Sequence, residues 1–330
     1  MFEWRRLRRD GAETEEIFQQ KNFRAPRKHL FRPFVFFYDT IDLSNVFMKT
    51  IAIYHKDCTD GTAAAAVVLR KFPKALLFPL NHGFKPAELE SVLERARPGD
   101  QIYTVDCALG AGEFLDQGFQ VTSIDHHAGA EEENRKLMEK NKDFVFIFDN
   151  KKSGASLAWD YFFPKEKKPE LIKLVEDRDL WTWRYGQKTK DVGNYLYMLI
   201  NKPEKVLKLL DKPLDSAKQE GAVISRFANM VIEHGVKTTE PIMVRVGTYT
   251  VPFYNIIFDK SESGNMLATE RGQAVGLFTI DGSEVKISFR SLDNQKPSAL
   301  DLALKLCAGG HKNASGAKMK LTDFVKSIVF

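Results

Sequence analysis

Three short apolar runs in this chain each end in acids or histidines. Residues 50–54 lead into His55, Asp57, Asp60 and Gly61; residues 101–105 lead into Asp106; residues 120–124 lead into Asp125, His126 and His127. Around them, segments with apolar residues at helical spacing alternate with further short apolar runs: helical patterns at 62–72, 86–97, 153–163 and 169–177, strand-like runs at 75–80 and 144–148. This alternation predicts an α/β fold, a parallel sheet wrapped by helices. In such a sheet the strand ends share one edge, the edge at which ligands of open α/β folds bind. Three strands therefore aim their polar residues at a single crevice.

Four or five carboxylates beside imidazoles repel one another, because like charges at contact distance do not all stay ionised without compensation. Divalent cations supply it. Oxygen and nitrogen donors without a thiolate cluster suit manganese, magnesium or iron better than zinc, with manganese the best fit to carboxylate plus imidazole. The donors suffice for two ions about 4 Å apart, an arrangement that activates water and polarises a phosphoryl group. Gly61, opening a helix of small residues from Thr62 to Ala66, lets backbone approach the crevice and places a helix N-terminus where phosphate is welcome. A net charge of +5, from 49 basic and 44 acidic residues, permits an anionic substrate without marking a protein that coats nucleic acid.

The texture changes along the 330 residues. Residues 1–47 hold an Arg-rich opening and an aromatic stretch from Phe31 to Tyr38, with no secretory cleavage site. Met48 immediately precedes the first strand-like run, so this segment is either an extension or the product of an upstream start. Residues 48–200 form the predicted catalytic domain, residues 201–238 a helical connector with helix throughout 203–236, and residues 239–330 a smaller α+β domain. In the last, strand-like runs at 242–246, 248–258, 274–280 and 284–291 accompany helical candidates at 263–271 and 298–307. No window approaches the ~18 apolar residues of a membrane span. Cys58, Cys107 and Cys307 are too few and scattered for a disulfide framework, and a cytoplasmic setting is expected.

The motif Asp125-His126-His127, with His55…Asp60-Gly61 upstream and Asp106 between, resembles the DHH phosphoesterase superfamily. The run Ala308-Gly309-Gly310-His311-Lys-Asn-Ala-Ser-Gly316 resembles the glycine-rich signature of the substrate-binding domain that accompanies it, so the resemblance covers residues 48–330. It implies that His55, Asp57 and Asp106 hold one ion and Asp60, Asp106, His126 and Asp179 the other, with Asp106 bridging. It further implies that His127 faces the scissile phosphate, that Asp125 orients the imidazoles, and that Arg290, Gly309, Gly310 and His311 grip the substrate. Two acids precede the Trp181-Thr-Trp183 stretch. Asp179 is preferred as the last ligand, in the manner of the oligoribonuclease and cyclic nucleotide phosphodiesterase branch, with Asp177 held in reserve. Besides these two candidates for the final acid, which has no fixed signature in the family, the sequence departs in the first motif: the paired acids are usually separated by one residue, whereas Cys58 and Thr59 both lie between Asp57 and Asp60.

Other polar and aromatic residues have plainer readings. His82 reads as a turn residue, His234 as a helix-ending cation, and the Lys165–Lys168 run as a solvated loop. Trp181 and Trp183 either stack on a base or line the core beneath Asp179. The expected activity is metal-dependent hydrolysis of short oligonucleotides or related small nucleotides. No oligonucleotide-binding domain is read after the second domain, which weighs against processive action on long strands. The alternatives are a phosphomonoesterase on 3′-phosphoadenosine 5′-phosphate, an exopolyphosphatase, and a non-catalytic nucleotide-binding protein; no membrane partner is expected, and a homodimer is left open.

Overall fold

In a computed structural model of the chain, the structure describes residues 48–81, 86–108 and 110–329. The readings of residues 1–47 and of His82 lie outside the described residues.

The first lobe alternates as its sequence predicts: β1 (Thr50–His55), α1 (Thr59–Lys71), β2 (Leu76–Leu80), α2 (Pro86–Leu93), β3 (Gln101–Val105), α3 (Ala111–Asp116), β4 (Gln120–Asp125), α4 (Ala128–Lys140), β5 (Phe144–Phe148) and α5 (Gly154–Phe162). The strands form a parallel sheet in the order β2-β1-β3-β4-β5. Residues alternate between its faces with the period of two that a strand imposes. Ala52 and Tyr54 join the core formed with α1 and α5, while Ile51 and Ile53 join the opposite core around Phe114, Phe144 and Phe146. The strand order reverses between β1 and β3, so a topological switch point opens at their carboxyl ends. Helix α1 is buried along most of its length because Ala63 to Ala66 are small enough to seat it between β1 and α5.

Four more helices follow: α6 (Glu170–Asp179), α7 (Gln187–Tyr197), α8 (Pro203–Leu207) and α9 (Asp215–Thr238). The helix expected throughout 203–236 is therefore two helices with a break at 208–214. Pro213, which has no amide N–H to donate, lies in that break. Helix α9 packs on α7 so closely that a Cβ at Gly221 would come within 1.9 Å of the Asp191 carbonyl oxygen, and Asn194 Nδ2 donates to Ser225 Oγ at 2.9 Å across the same interface.

The second lobe comprises β6 (Ile242–Val246), β7 (Tyr249–Tyr254), α10 (Lys260–Arg271), β8 (Val275–Asp281), β9 (Glu284–Arg290), α11 (Ala299–Leu304), β10 (Gly309–His311), β11 (Ala314–Lys320), α12 (Leu321–Ser327) and β12 (Ile328–Val329). Its mixed sheet runs β10-β11-β9-β8-β7-β6-β12, with β7 and β8 parallel through the α10 crossover. One face packs Phe253, Phe289 and Leu302 around Phe324; the other packs Tyr254, Val275 and Leu277 against Ile232 and Val236 of α9. Helix α9 thus packs against both lobes. Glu262 of α10 adds a polar tie, pairing with Lys190 at 2.5 Å and approaching Arg178 at 4.0 Å. No helix among the described residues is long and apolar enough to cross a membrane.

Candidate metal centre

Asp106 stands at the switch point, one residue past β3, with a left-handed backbone (φ 57°). That conformation costs a non-glycine residue free energy and tends to be kept where surrounding structure fixes it. Here α5 starts so close that a Cβ at Gly154 would lie 2.6 Å from the Asp106 Cβ. The Asp106 carboxylate is 1% exposed, with Oδ1 3.1 Å from His126 Nε2 and Oδ2 3.5 Å from His55 Nδ1. Asp60, in the first turn of α1, is buried completely; its oxygens accept from the amides of Gly154 (2.6 Å) and Ala155 (3.0 Å). It therefore satisfies two of the free N–H groups that begin α5. Gly61 is required beside it, since a Cβ there would meet the His55 carbonyl oxygen at 2.3 Å.

Asp179 closes the set from the end of α6. His126 Nε2 lies 3.6 Å from Asp179 Oδ2, 3.9 Å from Asp60 Oδ2 and 3.1 Å from Asp106 Oδ1, so three carboxylates converge on one imidazole nitrogen. The electrostatics follow from that crowding. Burial, aided by Asp106 and Asp179, pushes the Asp60 carboxyl well up. Burial also raises Asp179, to about 6, with Asp106 adding to it against His126. For Asp106 burial pulls upward too, but the contacts to His126 and His55 and the charge of His127 hold it well below the usual carboxylate range. Burial would lower His126, yet its bond to Asp106 and the charges of Asp179, Asp106 and Asp60 push it up to about 10. The protein's own groups thus favour positive charge at one point, the property expected of a cation site. The donors fit a divalent ion in chemistry: ligand atoms of Asp60, His126 and Asp179 lie within 4.8 Å of one another, as do those of His55, Cys58 and Asp106.

Asp125 is placed to orient. Its Oδ1 accepts from the His126 amide (2.8 Å) and pairs with His127 Nδ1 (2.7 Å), while Oδ2 accepts from the Ala108 amide (3.0 Å). Despite burial, those bonds to His127 and its charge keep the Asp125 carboxyl low, and despite burial the same bond raises His127.

The second lobe reaches the same place. The His311 ring lies 5.6 Å from that of His127 and 6.0 Å from that of His126, centroid to centroid. Gly310 makes this approach possible: its φ is 141°, and a Cβ there would lie 2.7 Å from the Ser315 Cα. His311 pairs with Ala314, and Ala314 with Arg290, so the three share one face of the sheet with the small Ala314 in the middle. Gly309 precedes them in open space. Arg290 donates to Ser261 Oγ at 2.9 Å, which turns its guanidinium towards the start of α10.

Two of the acids named from the sequence stand apart from the cluster. Asp57 does not join the cluster. Its backbone is left-handed (φ 57°), its carboxylate accepts from Asn201 Nδ2 at 2.6 Å and its amide donates to Asn201 Oδ1 at 3.1 Å. Cys58 takes the place beside His55 and Asp106. Asp177, the reserve ligand, is buried elsewhere: it accepts from Thr182 Oγ1 (2.6 Å) and from the amides of Arg184 (2.7 Å) and Tyr185 (3.1 Å). It ties down the loop in which Trp181 and Trp183 meet edge to face at 4.8 Å. The roles of Gly154, Cys58 and Asn201 carried no sequence signal, because each depends on a contact between distant segments.

No family model matches the sequence. An uncharacterized protein of Acanthamoeba polyphaga mimivirus is 25% identical over 293 residues, which cover 81% of this chain and 66% of that protein. Among solved structures, RecJ of Thermus thermophilus in complex with Mn2+ matches 84% of this chain and 50% of its own, with 16% identity and a TM-score of 0.53. The chain has a RecJ-like fold. It spans about half of the Thermus RecJ chain and just under two thirds of the mimivirus protein. The pGpG-specific phosphodiesterase PggH of Vibrio cholerae aligns over 84% of this chain and 95% of its own, at 11% identity and a TM-score of 0.47.

Proposed function

We propose that this chain is a metal-dependent phosphoesterase of the DHH type, cleaving phosphodiester bonds of short oligonucleotides or related small nucleotides. The observation that carries the reading is the convergence of Asp60, Asp106 and Asp179 on His126, with His55 on the other side of Asp106, at the switch point of a RecJ-like sheet. Two divalent cations, manganese or magnesium, would activate water and neutralise the phosphoryl oxygens.

The protein's own residues supply the rest. Asp106 has one oxygen towards His126 and the other towards His55, the arrangement of a bridge between two ion sites. Asp125 accepts from His127 Nδ1 and, against burial, helps raise the His127 pKa, so that the protonated ring would donate from Nε2 to a phosphate oxygen or to the leaving group. His311, close to the rings of His126 and His127, closes over the phosphate from the second lobe. Its pKa is lowered by burial and by His127 and His126, so at neutral pH it acts as a neutral hydrogen-bonding group. Arg290, on the same sheet face, holds a further phosphate or the substrate terminus.

The test is hydrolysis, with Mn2+, of a panel comprising a 5′-phosphorylated dinucleotide, longer oligonucleotides, a cyclic dinucleotide, 3′-phosphoadenosine 5′-phosphate and polyphosphate, each repeated with Asp106→Asn. Turnover of the short phosphodiesters that the variant abolishes is the expected result. Turnover confined to the phosphomonoester or to polyphosphate would reassign the substrate, and none anywhere would overturn the enzyme reading.

A further inference from the structure

The connection from β1 to α1 decides which side chain faces the site. His55 ends β1 and Asp60 lies in the first turn of α1, and both are anchored: Asp60 by the amides of α5, His55 by the close approach of Gly61 to its carbonyl. The residues between must turn within that fixed span. Asp57 adopts a left-handed backbone and directs its carboxylate to Asn201. Asn201 is itself held there by a backbone N–H donated to Thr62 Oγ1 at 3.0 Å. Cys58 follows with an extended backbone (φ −120°, ψ 138°) as the residue preceding α1, and its carbonyl accepts from Thr62 Oγ1 and from the Thr62 amide. Its Sγ lies within 4.8 Å of the ligand atoms of both His55 and Asp106. Asp106 is 1% exposed, and its Oδ2, on this side of the carboxylate, is buried and accepts no hydrogen bond.

We propose that Cys58, not Asp57, completes the first ion site, so that His55, Cys58 and Asp106 form a mixed N, S, O donor set beside the N, O set of Asp60, Asp106, His126 and Asp179. This rests on the two-metal reading above. On binding, the Cys58 thiol gives its proton to solvent and the sulfur bonds to the metal as thiolate. A thiolate selects zinc, iron or cobalt over magnesium, whereas carboxylates and imidazole accept manganese or magnesium. The two positions are thus unequal: the first prefers a thiophilic ion, while His55 and Asp106 still let it accept manganese, and the second tolerates a hard ion.

The full-length protein titrated with Co2+ tests this, because a thiolate bound to Co2+ gives a charge-transfer band in the near ultraviolet. The band is expected in the parent protein and in Asp57→Asn, and is expected to vanish in Cys58→Ser, whose affinity for the more tightly bound Co2+ falls by at least about tenfold, the least that even an outer-shell change costs a metal site. Circular dichroism of Cys58→Ser checks that it folds, and Cys58→Ala serves if it does not. Bound Co2+ without the band, or a band that survives the loss of Cys58, overturns the assignment of Cys58. If the panel above is hydrolysed with Mn2+ in that case, the phosphoesterase reading stands and only this inference falls. A protein that binds no Co2+ by equilibrium dialysis overturns both.

Discussion

The edge of the parallel sheet and the glycine turn of the second lobe meet over one site but are built in opposite ways. At the edge, Asp60 and Asp106 are essentially inaccessible, each locked by α5 through amide hydrogen bonds or direct backbone contact. At the turn, Gly309 to His311 are exposed and form the outermost strand of their sheet. Buried charges are held rigidly because their desolvation must be offset by fixed partners; a short exposed edge strand carries little of the fold's stability. The charge-bearing half is therefore preorganised by the core, whereas the glycine turn, proposed to grip the substrate, is free to adjust. Mutations at the edge should affect folding and chemistry together, and mutations at the turn chemistry alone.

That contrast can be broken in four places. Asp60→Ala carries the largest expected effect. It leaves the Gly154 and Ala155 amides buried without an acceptor, a loss of about 2–6 kcal/mol at 1–3 kcal/mol per group, and lowers kcat/KM by about 10²–10³-fold, comparable to removing a principal transition-state donor. Urea unfolding and steady-state kinetics measure the two; an unfolding midpoint unchanged from the parent would refute the structural half. Asp177→Asn is next, costing about 2–3 kcal/mol because charge-assisted hydrogen bonds to Thr182, Thr189, Arg184 and Tyr185 are weakened. Burial would raise the Asp177 carboxyl, but those bonds hold it low. Its contribution is therefore present above the unfolded value of about 3.9 and is lost as pH falls through the lower folded value. The gap between parent and variant in urea should accordingly shrink from pH 7 to pH 3, and a constant gap would contradict the assignment.

Gly310→Ala is a sharper test of the turn. The clash with Ser315 and the positive φ would impose about 1–3 kcal/mol of strain if the turn were held; the exposed edge strand relieves it by shifting, which displaces His311. We expect kcat/KM to fall about tenfold while Mn2+ affinity and the unfolding midpoint stay near the parent values; lost metal affinity would mean that the turn is part of the metal site. Asp57→Asn should have the smallest effect, under about 1 kcal/mol in stability as for other exposed polar pairs, with activity within about threefold of the parent. A loss like that of Asp60→Ala would restore Asp57 to the ligand set.

The sheet edge was legible because a parallel sheet obliges strand ends to converge, so His55, Asp106 and His126 could be grouped from position alone. Arg290 and His311 could be named, but not that Ala314 sits between them on one sheet face, which depends on strand register. The direction of Asp57 was not legible because a sequence gives spacing and not direction: its left-handed turn sends it to Asn201, 144 residues away. Asp60 looked like a ligand alone, since its bonds to α5 cross 94 and 95 residues. Helix α7 escaped notice because its inward face mixes Val192 and Leu196 with polar and small residues, Asn194 bonding to Ser225 and Gly193 giving room to Arg178.

The most direct test of the central claim is a crystal grown with Mn2+, with anomalous differences collected at the manganese edge. Two peaks about 4 Å apart are expected, with Asp106 between them, one beside His55 and Cys58 and the other beside Asp60, His126 and Asp179. A single peak, or peaks away from Asp106, would contradict it.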